Sequence, residues 1–221
     1  MKQVFPKILR NDLSFPDPAN AGADGLLALG GDLSVPRLLS AYRSGIFPWS
    51  ASPITWWSPD PRGIIELNDF HLSGRTLRRK RQNLFRVSIN QAFKEVISAC
   101  AKAAPGRDDT WIEPKIINAY TTLHQAGHAH SVECWKGKTL VGGVYGVAIA
   151  GFFAGESMFA HETDASKIAL AFLIDHLKEK KFSLFDTQMA TPHTLSLGAT
   201  TIPRSLYLQR LQSALQLSTT F

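Results

Sequence analysis

Residues 130–159 read HSVECWKGKTLVGGVYGVAIAGFFAGESMF, and residues 164–188 continue with DASKIALAFLIDHLKEKKFSLFDTQ. The first stretch is a set of apolar runs broken at Lys136-Gly137-Lys138 and at Ala150-Gly151, turn signals that predict an antiparallel meander. The second opens on Asp164 as a helix cap, turns Ile168, Phe172 and Leu173 inward, and places lysines near its end, where the helix dipole favours them. FSLFDTQ then returns as a strand. Strand, helix, strand at this spacing implies a right-handed crossover into a parallel pair, set in a sheet that is otherwise largely antiparallel. The expected fold class is therefore α/β, with a mixed sheet of the α+β kind.

Upstream, the segment around Val87 to Ile89 reads as a strand. NQAFKEVISACAKA, residues 90–103, reads as an amphipathic helix with Phe93, Val96, Ile97 and Cys100 inward. EPKIINAYTTLHQAG, residues 113–127, is another helix, closed by Gly127. Eight of the twelve prolines and three of the five tryptophans fall within the first 62 residues, which places a domain boundary near WWSPDPRG. The expected division is a small Pro/Trp-rich α/β domain over residues 1–62 and a larger domain over residues 63–221. Within the former, a short apolar segment leads through Gly30-Gly31 into a helix capped by Ser34, with Pro36 in its first turn and Gly45 at its end. The Gly-Gly pair lacks the spacing and the lysine of a phosphate loop. No internal repeat or low-complexity segment is visible.

At 221 residues and 44% hydrophobic content, the chain can bury a substantial core as one large or two modest domains. The start, MKQVFPKILRNDLSFPDP, carries charge and proline and not the apolar stretch of a secretory signal, and no later run is apolar enough to cross a bilayer. A cytoplasmic protein with no membrane partner is expected. Cys100 and Cys134 lack paired metal-ligand spacing and read as packing residues. A formal charge of +6 and a pI near 9.4 favour contact with a polyanion. The charge is concentrated in RTLRRKRQNLFR, residues 75–86, where Arg75, Arg78, Arg79, Lys80, Arg81 and Arg86 occur without an acidic residue. Ser73 can cap a helix there and Leu77 and Leu84 would dock it; its arginines form either a solvated face or a phosphate-binding one.

In the returning strand, the period of two puts Asp186 and Gln188 on one face with Leu184, and Phe185 and Thr187 on the other. The same period sets Glu156 beside Ala154 and Met158, with no basic partner nearby in sequence. A carboxylate desolvated there takes up a proton, sits at an open edge or binds a cation. Trp49, Trp56, Trp57 and Trp111 either stack on bases or join the two domains. His193, just past the strand, is a candidate base or a solvated loop histidine. No Ser-His-Asp triad, zinc site or nucleotide phosphate loop is present, so neither a metal nor a cofactor is expected.

Taken in order, LLALGGDLS, RLLSAYRSGIFPW, PITWWSPDPRG, TWI, AYTTLHQAGHAHSVECW, LVGGVYGVAIAGFFAGESMF, ASKIAL, DTQ and SLGATTIPR closely resemble the bacterial leucyl/phenylalanyl-tRNA protein transferase family over nearly the whole chain. The resemblance implies a small N-terminal α/β domain before a larger one with the GNAT acyltransferase fold. It implies a leucyltransferase reaction, in which leucine or phenylalanine passes from aminoacyl-tRNA to the α-amine of a protein beginning with arginine or lysine, marking that protein for degradation. Where the family commonly has Asp-Cys-Gln, this chain has Asp186-Thr187-Gln188, a change expected to touch only local packing.

By the same resemblance, Gln188 holds the attacking amine through its carbonyl oxygen and Asp186 fixes and polarises the Gln188 amide. Glu156 meets a substrate cation, preferably the donor's free amine, and Met158 lines the pocket for the donor side chain. Trp49 and Trp111 lie near the terminal adenosine or the substrate pocket, and Arg75, Arg78, Arg79, Lys80 and Arg81 meet acceptor-stem phosphates. A monomer is expected. Two other readings compete: an acetyl-CoA-dependent N-acetyltransferase and a non-catalytic RNA-binding module. The first would need a glycine-bearing turn before the central helix, where this chain has AHETDASK.

Overall fold

In the computed structural model of the chain, residues 6–10, 12–102 and 110–221 are described. The first part holds β1 (Lys7–Leu9), a single 3-10 turn, β2 (Leu26–Gly30), α1 (Val35–Arg43), β3 (Phe47–Ala51) and β4 (Ile54–Trp57). These strands form a four-stranded sheet in the order β1-β2-β4-β3, parallel only between β1 and β2. Helix α1 starts after Ser34, which holds the N-cap position without a side-chain capping hydrogen bond; Pro36 lies in its first turn, and Gly45 at φ 74° turns the chain out of it into β3.

The rest of the chain contributes β5 (Arg62–Ile65), α2 (Gly74–Arg81), β6 (Arg86–Ile89), α3 (Phe93–Cys100), α4 (Pro114–Gln125), β7 (Ala129–Lys136), β8 (Thr139–Ile149) and β9 (Phe152–Ala160). It ends with α5 (Ala165–Glu179), β10 (Leu184–Gln188), α6 (Pro192–Leu195), β11 (Ala199–Ile202) and α7 (Arg204–Leu215). A seven-stranded sheet runs β11-β5-β10-β9-β8-β7-β6. The meander β7-β8-β9 turns where the two glycine-bearing signals stand, and β9-α5-β10 is the crossover, with β9 and β10 the parallel pair. The mixed α/β class expected from the sequence is the class observed.

Both faces of the large sheet are covered, and strand alternation decides which residue serves which face. Tyr145, Val147, Ile149, Phe152 and Leu184 enter one core with Phe93, Val96 and Ile97 of α3, Ile116 and Tyr120 of α4, and Leu211 of α7. Val144, Ala148, Phe153 and Phe185 enter the other with Ile168, Ala169, Leu173 and Ile174 of α5. The first core does not stop at the smaller sheet: Leu27, Leu38, Tyr42, Phe47 and Trp56 belong to the same contiguous cluster.

Three expected packing details are corrected. Leu77 and Leu84 do not dock α2, being 39% and 48% exposed; Thr76 is buried instead, with Ser73 accepting its backbone N–H at 3.3 Å. A helix of eight residues dominated by arginine offers little apolar surface, so one small residue and the preceding Leu72 seat it. Phe172 is 38% exposed, because the buried stripe of α5 runs through Ala165, Ile168, Ala169, Leu173 and Ile174 and leaves position 172 on its flank. Helix α3 has its four expected inward residues buried but ends at Cys100, with Ala101 and Lys102 following as a turn and a bend where helix was expected; Ala103 lies outside the described residues.

Candidate active site

The parallel pairing of β9 and β10 runs from Leu184↔Phe152 to Asp186↔Ala154 and then stops. Both strands bulge at that level. On β9 the register against β8 slips between Tyr145↔Ser157 and Gly146↔Gly155, so Glu156 is the extra residue. On β10 it slips against β5 between Asp186↔Ile64 and Gln188↔Gly63, so Thr187 is the extra residue and Gln188 takes φ 59°. A bulge bends its strand and re-aims the side chains beyond it. Two bulges facing each other open a wedge in the sheet.

The wedge is a cavity of about 450 Å³. Its inner wall is apolar: Ile65 of β5, Val144 of β8, Met158 of β9, Leu170 of α5, Phe185 of β10 and Leu197. Glu156, Thr187 and Gln188 supply its polar side, Phe47 and Trp49 of β3 together with Trp111 flank it, and Met189, Thr191, His193 and Thr194 close it from the α6 side. His193 is solvent-exposed. Trp49 makes an edge contact with Trp57 at 5.2 Å between ring centroids, and Trp111 one with Tyr120 at 6.4 Å.

The bulges overturn the alternation read from sequence. Ala154 faces the core under α3 and α4 whereas Met158 packs toward α5, so Glu156, Ala154 and Met158 do not share one face. Likewise Thr187 and Gln188 both reach the cavity, while Asp186 is fully buried on the opposite side. Residue 187 therefore lines the pocket, contrary to the expectation that it turns away.

Around Glu156 the partners are hydroxyls and an amide. Tyr42 Oη donates to Oε1 at 2.8 Å, Gln188 Nε2 donates to Oε1 at 3.0 Å, and Tyr120 Oη reaches Oε2 at 3.4 Å; the two tyrosine hydroxyls also touch. Burial pushes the carboxyl up to about 8, partly countered by the Tyr42 hydrogen bond and reinforced by the charge of Asp186. Burial, and then the nearby carboxylate, hold both tyrosines well above the ordinary phenol range, so they remain donors. Of the three outcomes open to this carboxylate, burial among uncharged hydrogen-bond partners favours uptake of a proton.

Asp186 lies in a different environment. Arg62 Nε and Nη2 donate to its two oxygens at 2.9 and 2.7 Å, Tyr207 Oη donates at 2.9 Å, and the backbone N–H of Gln188 donates at 2.8 Å. Burial alone would lower the pKa of Arg62, but the paired carboxylate lifts it above its ordinary value. The expectation that Asp186 polarises the side-chain amide of Gln188 is corrected here: Asp186 holds the main chain of that residue, and Glu156 holds its amide. Arg62, Tyr42, Tyr120 and Tyr207 were not singled out in the sequence. The signal for Arg62 is indirect, since a buried aspartate on a strand requires a cation that no neighbouring residue supplies.

The basic helix α2 packs on α5. Arg79 lies 4.0 Å from Asp164 and Lys80 3.1 Å from Asp175, whereas Arg75, Arg78 and Arg81 project into solvent.

Comparison with known proteins points in one direction. A family model described as leucyl/phenylalanyl-tRNA protein transferase matches residues 64–212, and a model of that family's N-terminal domain matches residues 31–60. The chain is 49% identical over 210 residues to a leucyl/phenylalanyl-tRNA–protein transferase of Anaeromyxobacter sp. (strain Fw109-5), covering 94% of this chain and 89% of that one. It is 49% identical over 214 residues to a protein of the same name from Desulfatibacillum aliphaticivorans, covering 96% and 92%. Among solved structures, a GCN5-related N-acetyltransferase from Kribbella flavida is similar at a TM-score of 0.38 and 11% identity, over 74% of this chain and 59% of that one.

Proposed function

Because the chain belongs to the leucyl/phenylalanyl-tRNA protein transferase family, we propose that its cavity binds the aminoacyl end of a charged tRNA and passes leucine or phenylalanine to a protein's α-amine. The chain is thus an aminoacyl-tRNA-dependent acyltransferase. The observation that carries the site assignment is the Glu156–Gln188 contact at the polar side of an otherwise apolar cavity. The acceptor is a protein with arginine or lysine at its N-terminus, the protein acts as a monomer in the cytoplasm, and its parts are residues 1–62 and 63–221. No helix among the described residues is long and apolar enough to cross a membrane.

An aminoacyl ester is already activated, and an α-amine with a pKa of about 7.7–8.0 is partly unprotonated at neutral pH. Alignment is then most of the catalysis, contributing up to about 7–11 kcal/mol in favourable intramolecular cases. With Nε2 of Gln188 held by Glu156, its carbonyl oxygen is left to accept an N–H of the incoming amine and aim the lone pair at the ester carbonyl. Attack forms the C–N bond and breaks the bond to the ribose oxygen, which leaves with the amine's proton passed through water or the neighbouring ribose hydroxyl. An amide is too weak a base to take that proton itself. Oε2 of Glu156, with only the long Tyr120 contact, receives the ammonium of the donor amino acid, and Val144, Met158, Leu170 and Phe185 surround its side chain. Such a wall offers no polar group that either apolar side chain would leave unpaired, in keeping with acceptance of both leucine and phenylalanine. Trp49 and Trp111 flank the terminal adenosine.

Radiolabelled leucine on tRNA, incubated with the protein and a peptide beginning with arginine, is expected to appear in the peptide. Tight tRNA binding without labelled peptide would instead favour an RNA-binding module, and faster acetylation from acetyl-CoA would favour an acetyltransferase. Neutralising Arg78 and Arg81 as a glutamine pair is expected to weaken tRNA binding and reduce the slope of log K against log salt by about 1.4 to 1.8, with turnover at saturating tRNA retained. An unchanged slope would remove these arginines from the tRNA path.

A further inference from the structure

We propose that Arg62 and Gly63 are positioning residues for the transfer reaction: together they mould the turn from Asp186 to Ala190 that presents Gln188 to the cavity, and Asp186 serves the reaction through the backbone of Gln188. The inference rests on the functional reading above and assigns a role to the dipeptide that ends WWSPDPRG.

Four donors converge on the Asp186 carboxylate: two from Arg62, one from Tyr207 and the Gln188 backbone N–H. With side-chain exposures of 0% for Asp186 and 1% for Arg62, none of this reaches the cavity, so Asp186 has no path to a substrate atom. The guanidinium is itself fixed on every side. Its Nη1 donates to the Gly45 carbonyl at 3.0 Å, and its Cζ lies over the rings of Phe47 and Tyr207, 4.9 and 4.3 Å from their centroids. Gly45 and Phe47 belong to the α1–β3 segment, and Phe47 also lines the cavity.

The next residue acts by being small. A Cβ on Gly63 would lie 2.5 Å from the carbonyl carbon of Met189 and 2.6 Å from the nitrogen of Ala190, main-chain atoms with no room to yield. Gly63 is also the pairing partner of Gln188 across the slipped register. Gln188 holds φ 59°, a left-handed conformation that non-glycine residues keep only when their surroundings impose it. The imposing groups are the ion pair behind it and the close approach of Gly63 beside it. The strained residue is the one whose side chain meets Glu156, so the angle of this turn sets where the amide of Gln188 points.

The experiment is a double-mutant cycle with steady-state transfer kinetics. Arg62→Gln leaves the carboxylate unpaired and is expected to lower kcat about 100-fold, with KM for aminoacyl-tRNA within about threefold of the unaltered protein. Adding Asp186→Asn restores a neutral pair whose Oδ1 still accepts the Gln188 N–H, and kcat is expected to return to within about tenfold of the unaltered protein. Gly63→Ala is expected to lower kcat at least about tenfold with the same small change in KM. Thermal melts identify any variant that has failed to fold, and the neutral pair, free of a buried orphan charge, provides the decisive comparison in that event. The amide resonance of Gln188, followed by NMR without substrate, is expected to lose its hydrogen-exchange protection in Arg62→Gln and keep it in the neutral pair.

A folded neutral pair no more active than Asp186→Ala would overturn the inference, since it would mean that the charge of Asp186 is itself required. Wild-type kcat in Arg62→Gln would overturn it too. The two failures are separable: absence of transfer by the unaltered protein defeats the functional reading whatever the amide does. Unchanged protection of the Gln188 amide in Arg62→Gln defeats the positioning role whatever the reaction is.

Discussion

Asp186→Ala is expected to remove about 3–5 kcal/mol of folding stability along with nearly all turnover, because it strands the buried guanidinium of Arg62 without the one carboxylate it bonds among the described residues. Arg62 is 1% exposed and its remaining acceptors, the Gly45 carbonyl and the Tyr207 hydroxyl, are neutral. Breaking a buried pair costs more than the pair contributes, since the survivor's desolvation is no longer offset. For a chain of this size each kcal/mol moves the melting temperature by about 2–4 °C, so a loss on the order of 10 °C is expected. Urea titration followed by fluorescence would measure it. Turnover would fall even at temperatures where the variant stays folded, because the Gln188 N–H loses its acceptor and the left-handed turn its anchor. A variant that melts with the unaltered protein would show that Arg62 finds another partner, and the account of this ion pair would fail.

Glu156→Gln is expected to have an effect whose size depends on pH. The folded protein holds the Glu156 carboxyl at about 8, far above the ordinary carboxylate value that an unfolded chain restores. Well below about pH 4.5 both states carry the proton and the stabilisation is complete. As pH rises toward 8 the unfolded chain ionises first, so stability drains away across that window and levels off above it. Glutamine mimics the protonated form and does not titrate. Its advantage is therefore expected to be under about 1 kcal/mol at about pH 5 and on the order of 2–4 kcal/mol at about pH 8.5, moderated by water in the cavity. Catalysis moves the opposite way: a neutral amide cannot meet the donor ammonium, and transfer is expected to fall about 10- to 100-fold. Denaturation midpoints of the two proteins across pH test the first part, and a constant gap between them would contradict it.

Much of the architecture was legible because it is local. The meander is written in alternating apolar residues and two glycine turns, and the crossover in a fifteen-residue helix standing between two apolar strands. The site was legible in its residue types and not in its geometry. Glu156, Gln188, Met158, Trp49 and Trp111 do gather around one cavity. Which way each points depends on two bulges, and a bulge is a property of a strand's register against its partner. One extra residue at Glu156 and another at Thr187 reset every face beyond them. Arg62 escaped for a related reason: it lies 124 positions from Asp186, and only the placement of β5 beside β10 brings the two together. The Leu77–Leu84 spacing misled because α2 ends at Arg81, before Leu84, and the face it turns to α5 is the one that carries Thr76 and not Leu77.

The apolar cluster that runs unbroken from Leu27 and Trp56 to Phe93 and Leu211 bears on how such proteins can be recombined. A chimera joining the first 62 residues of one relative to the remainder of another inherits a seam through its interior, where side-chain volumes that evolved together must interlock again. Crossovers that leave Gly45, Phe47, Arg62 and Tyr207 with a single parent keep that seam matched around the guanidinium, and exchanges of the solvent-facing α2 segment leave it untouched.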